Sequence, residues 1–579
     1  MNKFSFFFIL LLLCVSILGC QTVVEHTILP RDNIRKADHE AWIERDASMT
    51  TYDGVNLVAN IYHPKKEDKT PTILVRIPYT STFKNNLGAD AIGNFWATRG
   101  YTVVIQRARG RYKSGGNFYP LKEERDDGIE TLAWLAKQPW FNGKLGMWGG
   151  SAFGYSQWVL ADQKNPGPDA LMIQIASSDF HGMFYPGGAF SLESALFWAI
   201  RSYGSEDRNP NFDDLDRGFN GFPLIEADNR AAQDIPFFND WVLHTKRDAY
   251  WVSIDGTDRA SKLQAPALLM AGWYDPFLPT QLHDFEVIKQ SKNNGVANYS
   301  QLIIGPWTHA DSVKFPNGNS DGDYRPASLA PSIDWFDRIL MGKNRDATIA
   351  PVKLFVMGEN KWRNEMEWPL ARTEYVTYYL HSAGNANTSS GDGKLNISKP
   401  SSPERSDYFK YNPLDPVPTK GGAMLGPRAG IALQNTVEDR PDVLVYSTEI
   451  LEKEKEITGP IKLVLNVSTN APQTDFTAKL VDVYPNGSAY NISSGVLRQT
   501  FTSNDKPSEI VIELWPTSIV IGAGHRIRLE ISSSDFPRYD RNPNTNKLIA
   551  TEKETRIANQ TVYHGMSTPS KLILPLIPR

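Results

Sequence analysis

The sequence predicts two folded parts: an α/β domain interrupted by a helical cap, and an all-β jelly-roll sandwich after it. Short β-rich runs recur between residues 55 and 305 with amphipathic segments between them, which is typical of a sheet covered by helices. The gap from Ile175 to Ala267 is too long for one crossover connection and indicates an insertion. After Lys343 the hydrophobic pattern changes to period two, which indicates antiparallel strands.

Length and composition agree with several domains and exclude some functions. The chain has 579 residues, too many for one hydrophobic core. Lys and Arg number 61 against 65 Asp and Glu, so no broad cationic field is available for a nucleic-acid backbone. The only cysteines are Cys14 and Cys20. The folded part therefore has no cysteine nucleophile, disulfide or thiolate metal site.

The first twenty residues, MNKFSFFFILLLLCVSILGC, are typical of a secretory signal, with one charge at Lys3 before a long apolar run. The run ends at residues 17–20, ILGC, which resemble the bacterial lipoprotein cleavage box, in which the cysteine is lipidated. An uncleaved anchor helix and a plain secretory signal remain alternatives. We expect Cys20 to carry a lipid anchor and residues 21–38, which are polar and unpatterned, to form a tether.

The anchor implies a place in the cell. The protein is expected to be exported to the bacterial cell envelope and to meet the membrane through its N-terminal lipid. Gln21 follows Cys20, where aspartate would indicate retention in the inner membrane, so the outer membrane is favoured. The sequence predicts no oligomeric state.

The α/β domain is assigned to residues 39–177 and 262–350. A helix is predicted over 126–138, where Ile129, Leu132, Ala133 and Ala136 recur at helical spacing, and a closing helix over 334–343. Seven runs, several of them continuously apolar as in strands buried on both faces, are predicted as strands: Val55–Tyr62, Thr72–Arg76, Tyr101–Gln106, Leu145–Trp148, Leu171–Ile175, Ala267–Ala271 and Leu302–Ile304.

Residues 178–261 are predicted to form the helical cap, and residues 351–579 the sandwich. Between Phe180 and Trp251 there are 15 aromatic residues, most of which are expected to form the cap's own core and a few to face a cleft below it. In the sandwich, Ile461, Leu463, Leu465 and Val467 share one face of a strand. Such runs, separated by turn-rich breaks, are typical of a jelly roll.

Ser151 is the candidate nucleophile. The apolar run Leu145–Trp148 leads into Gly149 and Gly150, and a helix-like stretch follows Ser151. This strand, sharp turn and helix is the local pattern of a nucleophile elbow, in which the serine hydroxyl is lifted off the sheet. The backbone amide of Ala152 would then face a developing oxyanion.

A serine hydroxyl needs a base, and the base needs an orienting carboxylate. Asp275 and His309 each follow a predicted buried strand, at the sheet edge where open α/β sheets place their sites. The order Ser151, Asp275, His309 is that of α/β-hydrolases. Taken singly, Asp275 could instead cap a turn before Pro276, and His309 could be an ordinary loop histidine.

Several longer motifs carry a family resemblance. They are VRIPYTSTF at 75–83, RGRYKSGGNFYP at 109–120, GGSAFGYSQW at 149–158, GWYD at 272–275, GPWTH at 305–309 and GHRIRLEISSSDFPRYDRNPNT at 524–545. With them the chain resembles the bacterial cocaine esterase and X-Pro dipeptidyl-peptidase family of serine hydrolases, which also includes glutaryl-cephalosporin acylases and α-amino acid ester hydrolases. The resemblance implies an α/β-hydrolase domain, an inserted cap and a C-terminal jelly roll.

The resemblance also implies roles for single residues. Ser151 would be the nucleophile, His309 the general base and Asp275 the carboxylate that orients it. The hydroxyl of Tyr79 would form the oxyanion hole together with the Ala152 amide. Many relatives have tyrosine where this chain has Ala152, so the acyl pocket beside the serine is expected to be roomier here.

The predicted reaction is hydrolysis of a small ester, or amide, through an acyl-enzyme, without metal or cofactor. Pro276, Phe277 and Leu278 carry no charge after Asp275, which argues against a carboxylate cluster for a substrate amine. Phe277, Trp198 and Phe153 are the candidate pocket residues. The alternatives are X-Pro dipeptidyl-peptidase activity, with the cap carboxylates Glu193, Glu206 and Asp207 meeting a peptide amine, glutaryl-cephalosporin acylase activity, and a non-catalytic lipoprotein that binds glycans or partners.

Overall fold

A computed structural model describes residues 34–65, 69–79, 83–203, 210–318, 321–322, 324–343, 349–502 and 506–579. The predicted signal segment, Cys20 and most of the tether lie outside the described residues. Among the helices that the structure describes, none is long and apolar enough to cross a membrane.

The first domain is built on a ten-stranded sheet with the order β1-β2-β4-β3-β5-β6-β7-β8-β9-β10. Neighbours from β4 to β9 pair in parallel, whereas β1, β2 and β10 pair antiparallel at the two edges. The strands are β1 (Ala41–Thr50), β2 (Asn56–Pro64), β3 (Thr70–Ile77), β4 (Thr102–Arg107), β5 (Phe141–Gly150), β6 (Ala170–Gln174), β7 (Ala267–Tyr274), β8 (Gln301–Thr308), β9 (Val352–Val356) and β10 (Lys361–Glu365). Each of the seven predicted runs overlaps one of them.

Helices cover both faces of this sheet, which is why β3, β4, β6 and β7 are buried along their whole length. The helices of all described parts of the chain, including the cap and one short helix in the jelly roll, are α1 (Phe83–Ala97), α2 (Glu124–Leu135), α3 (Ala152–Trp158), α4 (Phe180–Phe184), α5 (Leu192–Ser202), α6 (Phe212–Phe219), α7 (Ala227–Ala231), α8 (Pro236–Leu243), α9 (Ala249–Asp255), α10 (Leu278–Lys289), α11 (Asn294–Tyr299), α12 (Tyr324–Leu340) and α13 (Asn435–Glu438). On one face α1 meets α12, where the rings of Trp96 and Phe336 lie 5.4 Å apart.

The closing helix α12 begins ten residues before the predicted start at 334. Pro331 lies inside it, and a proline in a helical pattern normally indicates a boundary. Because of this proline, the sequence pattern does not indicate the first turns of the helix.

Helices α4 to α9 form the cap, inserted between β6 and β7 together with short 3₁₀ turns at Pro186–Gly188, Leu224–Glu226 and Ala260–Lys262. Most of its aromatic rings pack on each other, as expected: Phe184 stacks on Trp241 with ring centres 4.9 Å apart, and Trp251 is fully buried. These rings form the core of the cap, so few of its aromatic side chains remain to line a cleft.

The C-terminal domain is an antiparallel all-β jelly roll, as the sequence predicts. Its long strand β15 pairs with β18 on one side and with β20 and β21 on the other. The strands are β11 (Glu374–His381), β12 (Lys394–Asn396), β13 (Asp407–Tyr411), β14 (Leu444–Ser447), β15 (Lys455–Thr469), β16 (Gln473–Val483), β17 (Ala489–Thr500), β18 (Ser508–Ile521), β19 (Arg526–Ser532), β20 (Ala558–Tyr563) and β21 (Lys571–Ile577). Ile461, Leu463, Leu465 and Val467 are all buried in its core.

The border between the two sheets differs from the predicted one at residue 351. β9 pairs in parallel with β8, and β10 pairs with β9, so residues 352–365 extend the first sheet. The second sheet begins with β11 at Glu374. A run of five apolar-rich residues is compatible with the edge of either sheet. Its local pattern therefore does not predict which sheet the strand joins.

Candidate active site

Ser151 stands at the sharp turn between β5 and α3. Its φ of 56° and ψ of −125° are a backbone conformation that residues with side chains rarely adopt. Two glycines make the turn possible: a Cβ atom on Gly149 would lie 2.5 Å from Cβ of Phe153, and one on Gly154 would lie 2.6 Å from Cβ of Ala176. The amide of Ser151 donates to the carbonyl of Gln174 at the end of β6, which fixes the turn to the sheet edge (2.9 Å).

Asp275 directly follows β7 and is fully buried. Its backbone amide donates to the carbonyl of Gly272 (3.0 Å), which folds the chain into a tight turn. Its carboxylate is held on both sides, because Oδ1 accepts from the amide of Phe277 (2.8 Å) and Oδ2 faces His309. The buried carboxylate therefore has one fixed direction, toward the imidazole.

His309 directly follows β8 and joins the other two residues. Its Nδ1 lies 2.6 Å from Oδ2 of Asp275, and its Nε2 lies 2.9 Å from Oγ of Ser151. A carboxylate only accepts hydrogen bonds, so Nδ1 carries the proton and Nε2 is left to accept one from the serine. The turn is fixed by Thr308, whose amide and hydroxyl both donate to the carbonyl of Asp311.

Ala152 and Tyr79 lie on either side of the elbow. Ala152 is the first residue of α3, so its N–H has no acceptor within the helix. Tyr79 follows β3 at the same edge of the sheet, with its ring centre 5.8 Å from that of Phe153. The guanidinium of Arg201, from cap helix α5, lies 5.2 Å from the centre of the Tyr79 ring. Sequence reasoning missed Arg201, since nothing in its own segment indicates this contact.

The three candidate pocket residues occupy different places. Phe277 lies beside the imidazole, with its ring centre 5.7 Å from that of His309. Phe153 flanks Tyr79. Trp198 is further away: it stacks on Trp241 at 5.2 Å and reaches Phe277 through Phe180, which lies 6.1 Å from Trp198 and 5.2 Å from Phe277. The structure thus places Phe277 and Phe153 next to the elbow. The ring of Phe180 separates Trp198 from Phe277.

The jelly roll reaches the site, which the sequence did not predict. A Cβ atom on Gly430 would lie 3.5 Å from Cγ2 of Thr308, next to the imidazole-bearing residue. The hydroxyl of Tyr274, which precedes Asp275, donates to the carbonyl of Asn491 in β17 (2.9 Å). Both contacts join residues far apart in sequence, and the glycine-rich segment 421–430 indicates only a turn.

Of the three cap carboxylates considered for a substrate amine, the structure describes Glu193, whereas Glu206 and Asp207 lie outside the described residues. It is 1% exposed and accepts the amide of Gly426 from the jelly roll (3.4 Å). Burial raises the pKa of Glu193 to about 7, although the hydrogen bond from Gly426 opposes the shift. Its carboxylate is therefore engaged at an interface between domains.

Comparison with known proteins places these features in one family. The profile of the X-Pro dipeptidyl-peptidase (S15 family) matches residues 53–311, and that of the X-Pro dipeptidyl-peptidase C-terminal non-catalytic domain matches residues 346–573. Cocaine esterase of Rhodococcus sp. (strain MB1 Bresler) is 36% identical over 91% of this chain and 97% of its own.

Solved structures show the same fold over nearly the full length. An aminopeptidase from the marine sediment archaeon Thaumarchaeota archaeon aligns with a TM-score of 0.79 at 22% identity, covering 95% of this chain and 99% of its own. An α-amino acid ester hydrolase aligns with a TM-score of 0.77 at 22% identity, covering 94% and 99%. Both likenesses concern the fold.

Proposed function

The chain belongs to the family of serine hydrolases that contains cocaine esterase and the X-Pro dipeptidyl-peptidases, and we propose that it hydrolyses small carboxylic esters through an acyl-enzyme on Ser151. The observation that carries the proposal is the unbroken line of hydrogen bonds from Oγ of Ser151 through His309 to Asp275, with spacings of 2.9 and 2.6 Å. Such a line activates an alcohol that is otherwise a weak nucleophile.

The proposed reaction assigns each step to a residue. Oγ of Ser151 attacks the ester carbonyl while Nε2 of His309 takes its proton, and Asp275 stabilises the imidazolium. The amide of Ala152 and the hydroxyl of Tyr79 donate to the oxyanion that forms. His309 then protonates the departing alkoxide. A water molecule, activated by the same imidazole, releases the acid and restores Ser151.

An ester is favoured over a substrate with a free amine because the segment that follows Asp275, residues 276–278, brings no carboxylate to the site. Phe277 lies beside His309, and the residues on either side of it, Pro276 and Leu278, are apolar. Glu193, the described carboxylate on cap helix α5, is buried against Gly426. The small side chain of Ala152 leaves space for compact apolar or aromatic acyl groups.

The test is the turnover of p-nitrophenyl acetate and p-nitrophenyl butyrate. Ser151→Ala should lower kcat by about 10⁵- to 10⁶-fold, because the nucleophile is removed. Ser156→Ala is a matched control in helix α3, since its hydroxyl donates only to the carbonyl of Phe153, and it should keep the activity. A fluorophosphonate should label Ser151 stoichiometrically. Undiminished turnover in Ser151→Ala, or no labelling, would contradict the proposal.

X-Pro dipeptidyl-peptidase activity is the second candidate, supported by the S15 family match over residues 53–311. It requires a group that holds the substrate amine. If the protein cleaves Gly-Pro-p-nitroanilide faster than it cleaves esters of similar reactivity, this activity is favoured. If Gly-Pro-p-nitroanilide is not cleaved, the activity is excluded.

We further propose that the protein is exported and anchored in the bacterial cell envelope by a lipid on Cys20, with the outer membrane favoured. The apolar run ending in ILGC, followed by Gln21, supports this. Radiolabelled palmitate should be incorporated into the wild type and not into Cys20→Ala, with Cys14→Ala as the matched control. Equal labelling of both variants would contradict lipidation at Cys20.

A further inference from the structure

A second cleft lies where helix α10, the cap and the jelly roll meet. Its volume is about 760 Å³, which is in the range of small-molecule binding sites. Its lining includes Pro276, which joins Asp275 to Phe277, but neither Ser151 nor His309. The cleft is therefore separate from the elbow and lies behind the residues that orient the imidazole.

The walls of this cleft are apolar and aromatic. Trp368 is buried, Trp515 is partly buried and Tyr375 is half exposed at the opening. Five prolines also line the cleft: Pro186, Pro276, Pro279, Pro460 and Pro516. Rigid proline rings and three large aromatic rings form a preformed surface that loses little entropy when a ligand binds.

The charges of the cleft are unevenly distributed. Lys462 and Glu513 are exposed and are direct partners across β15 and β18, so they offset each other at the opening. Glu286 on α10 is half buried, and burial raises its pKa. Within the described part of the chain, the neighbour whose charge acts on this carboxylate is His283, one turn earlier on the same helix. Since Lys462 is paired with Glu513, the carboxylate of Glu286, beside His283, is the remaining acidic group of the described lining.

Glu286 shares the lining of the cleft with the aromatic ring of Tyr375. Burial raises the pKa of Tyr375 and the charge of Glu286 adds to the shift, in agreement with the position of both residues in one cleft. A carboxylate next to electron-rich ring faces is the combination that attracts organic cations. An anion would be repelled by this carboxylate, and a neutral ligand could donate a hydrogen bond to it but would not compensate its charge.

We propose that this cleft is a second binding site, which takes a small organic cation with an aromatic or aliphatic body. The ammonium group lies against Glu286 and Tyr375, and the apolar body packs between Trp368 and Trp515.

The test is isothermal titration of the purified protein with phenethylammonium, and with 2-phenylethanol as the neutral analogue. The cation should bind and the alcohol should bind at least about tenfold more weakly, the ratio expected for about 1.4 kcal/mol of charge attraction. Glu286→Gln should weaken phenethylammonium binding by about tenfold. Tyr375→Ala should weaken it by about threefold, as expected for one exposed cation–π contact.

Glu374→Gln is the matched control, since Glu374 is an exposed carboxylate next to Tyr375 that does not line the cleft, and it should bind as the wild type. Thermal unfolding of each variant verifies that it is folded. No binding of phenethylammonium, equal binding of 2-phenylethanol, or binding that Glu286→Gln and Tyr375→Ala leave unchanged would each overturn the proposal.

Discussion

The phenyl ring of Phe277 lies with its centre 5.7 Å from that of the His309 imidazole, and the two ring planes are inclined by 34°. The backbone amide of Phe277 also donates to Oδ1 of Asp275 (2.8 Å). One residue therefore holds the carboxylate through its backbone and lines the space beside the imidazole with its side chain. A change of this side chain separates the two roles, because it leaves the amide in place.

Phe277→Leu should change acyl preference more than it changes the chemistry. Leucine remains apolar but leaves part of the ring's space empty, so aromatic acyl groups lose a close contact. We expect kcat/KM for p-nitrophenyl benzoate to fall about tenfold relative to that for p-nitrophenyl acetate, as for other single apolar contacts in a pocket. Steady-state kinetics on both esters measure this ratio. An unchanged ratio would show that Phe277 does not contact the acyl group.

Tyr79→Phe should lower kcat about 10²- to 10³-fold with little change in KM, because the hydroxyl acts on the oxyanion and not on the ground state. Phenylalanine keeps the ring that Phe153 and Arg201 contact, so the local packing is retained. Tyr52→Phe, at an exposed position, is the matched control and should behave as the wild type. Turnover within twofold of the wild type in Tyr79→Phe would exclude the phenol from the oxyanion hole.

Asp275→Asn should lower kcat about 10⁴-fold while leaving the fold intact. An asparagine amide facing Nδ1 of His309 would donate rather than accept, which favours the imidazole tautomer that cannot take the serine proton. Asp311→Asn is the control, since this exposed carboxylate lies two residues from His309 and the turn uses only its backbone. Single-turnover kinetics with p-nitrophenyl acetate provide the measurement. A loss of less than tenfold would contradict the orienting role of Asp275.

The elements that position the three residues could be predicted because their signals are local. Leu145–Trp148 is a continuous apolar run followed by two glycines, and the ends of β7 and β8 carry similar runs. The contacts that complete the site could not be predicted, because they join residues far apart in the sequence. Gly430 lies next to Thr308, more than a hundred residues away in sequence, and Glu193 accepts the amide of Gly426, more than two hundred residues away. No periodicity within either segment encodes these contacts, and strands as short as β9 carry too few residues to indicate their sheet.

Glu193→Gln should stabilise the protein at alkaline pH and not at acid pH. Burial raises the pKa of Glu193 to about 7, from 4.5 in the unfolded chain. As pH rises from 4.5 to 7 the unfolded state loses this proton first, so the stability decreases and the loss persists above pH 7. Glutamine resembles the protonated acid and still accepts the amide of Gly426. Near pH 8 the variant should be more stable by on the order of 2–3 kcal/mol.

Denaturant unfolding of both proteins near pH 4.5 and near pH 8 measures the Glu193 effect. The two curves should coincide at the lower pH and separate at the higher. A variant that is less stable than the wild type at both values would contradict the interpretation that Glu193 is buried at an energetic cost.

His564 is held between two carboxylates inside the jelly roll. Its Nε2 lies 2.8 Å from Oδ2 of Asp407, and its Nδ1 lies 3.0 Å from Oε2 of Glu404. Since carboxylates only accept, both ring nitrogens must carry protons, so the ring is an imidazolium. Burial alone would lower the pKa of His564, but the hydrogen bonds and charges of Asp407 and Glu404 raise it overall. Tyr446 also donates to Asp407 (2.7 Å), and His381 contacts Glu404 (2.8 Å).

This imidazolium should make the jelly roll lose stability as pH rises. Because the pKa of His564 is higher in the folded than in the unfolded protein, its contribution is fully present below about pH 6.5 and is lost as pH rises through the folded value. His564→Gln should therefore be less stable than the wild type near pH 6, with a difference that shrinks as pH rises through the folded pKa of the ring. Unfolding free energies measured across this pH range give the difference curve. A difference that stays constant with pH would mean that His564 is neutral in the folded protein, and that the two carboxylates are paired in some other way.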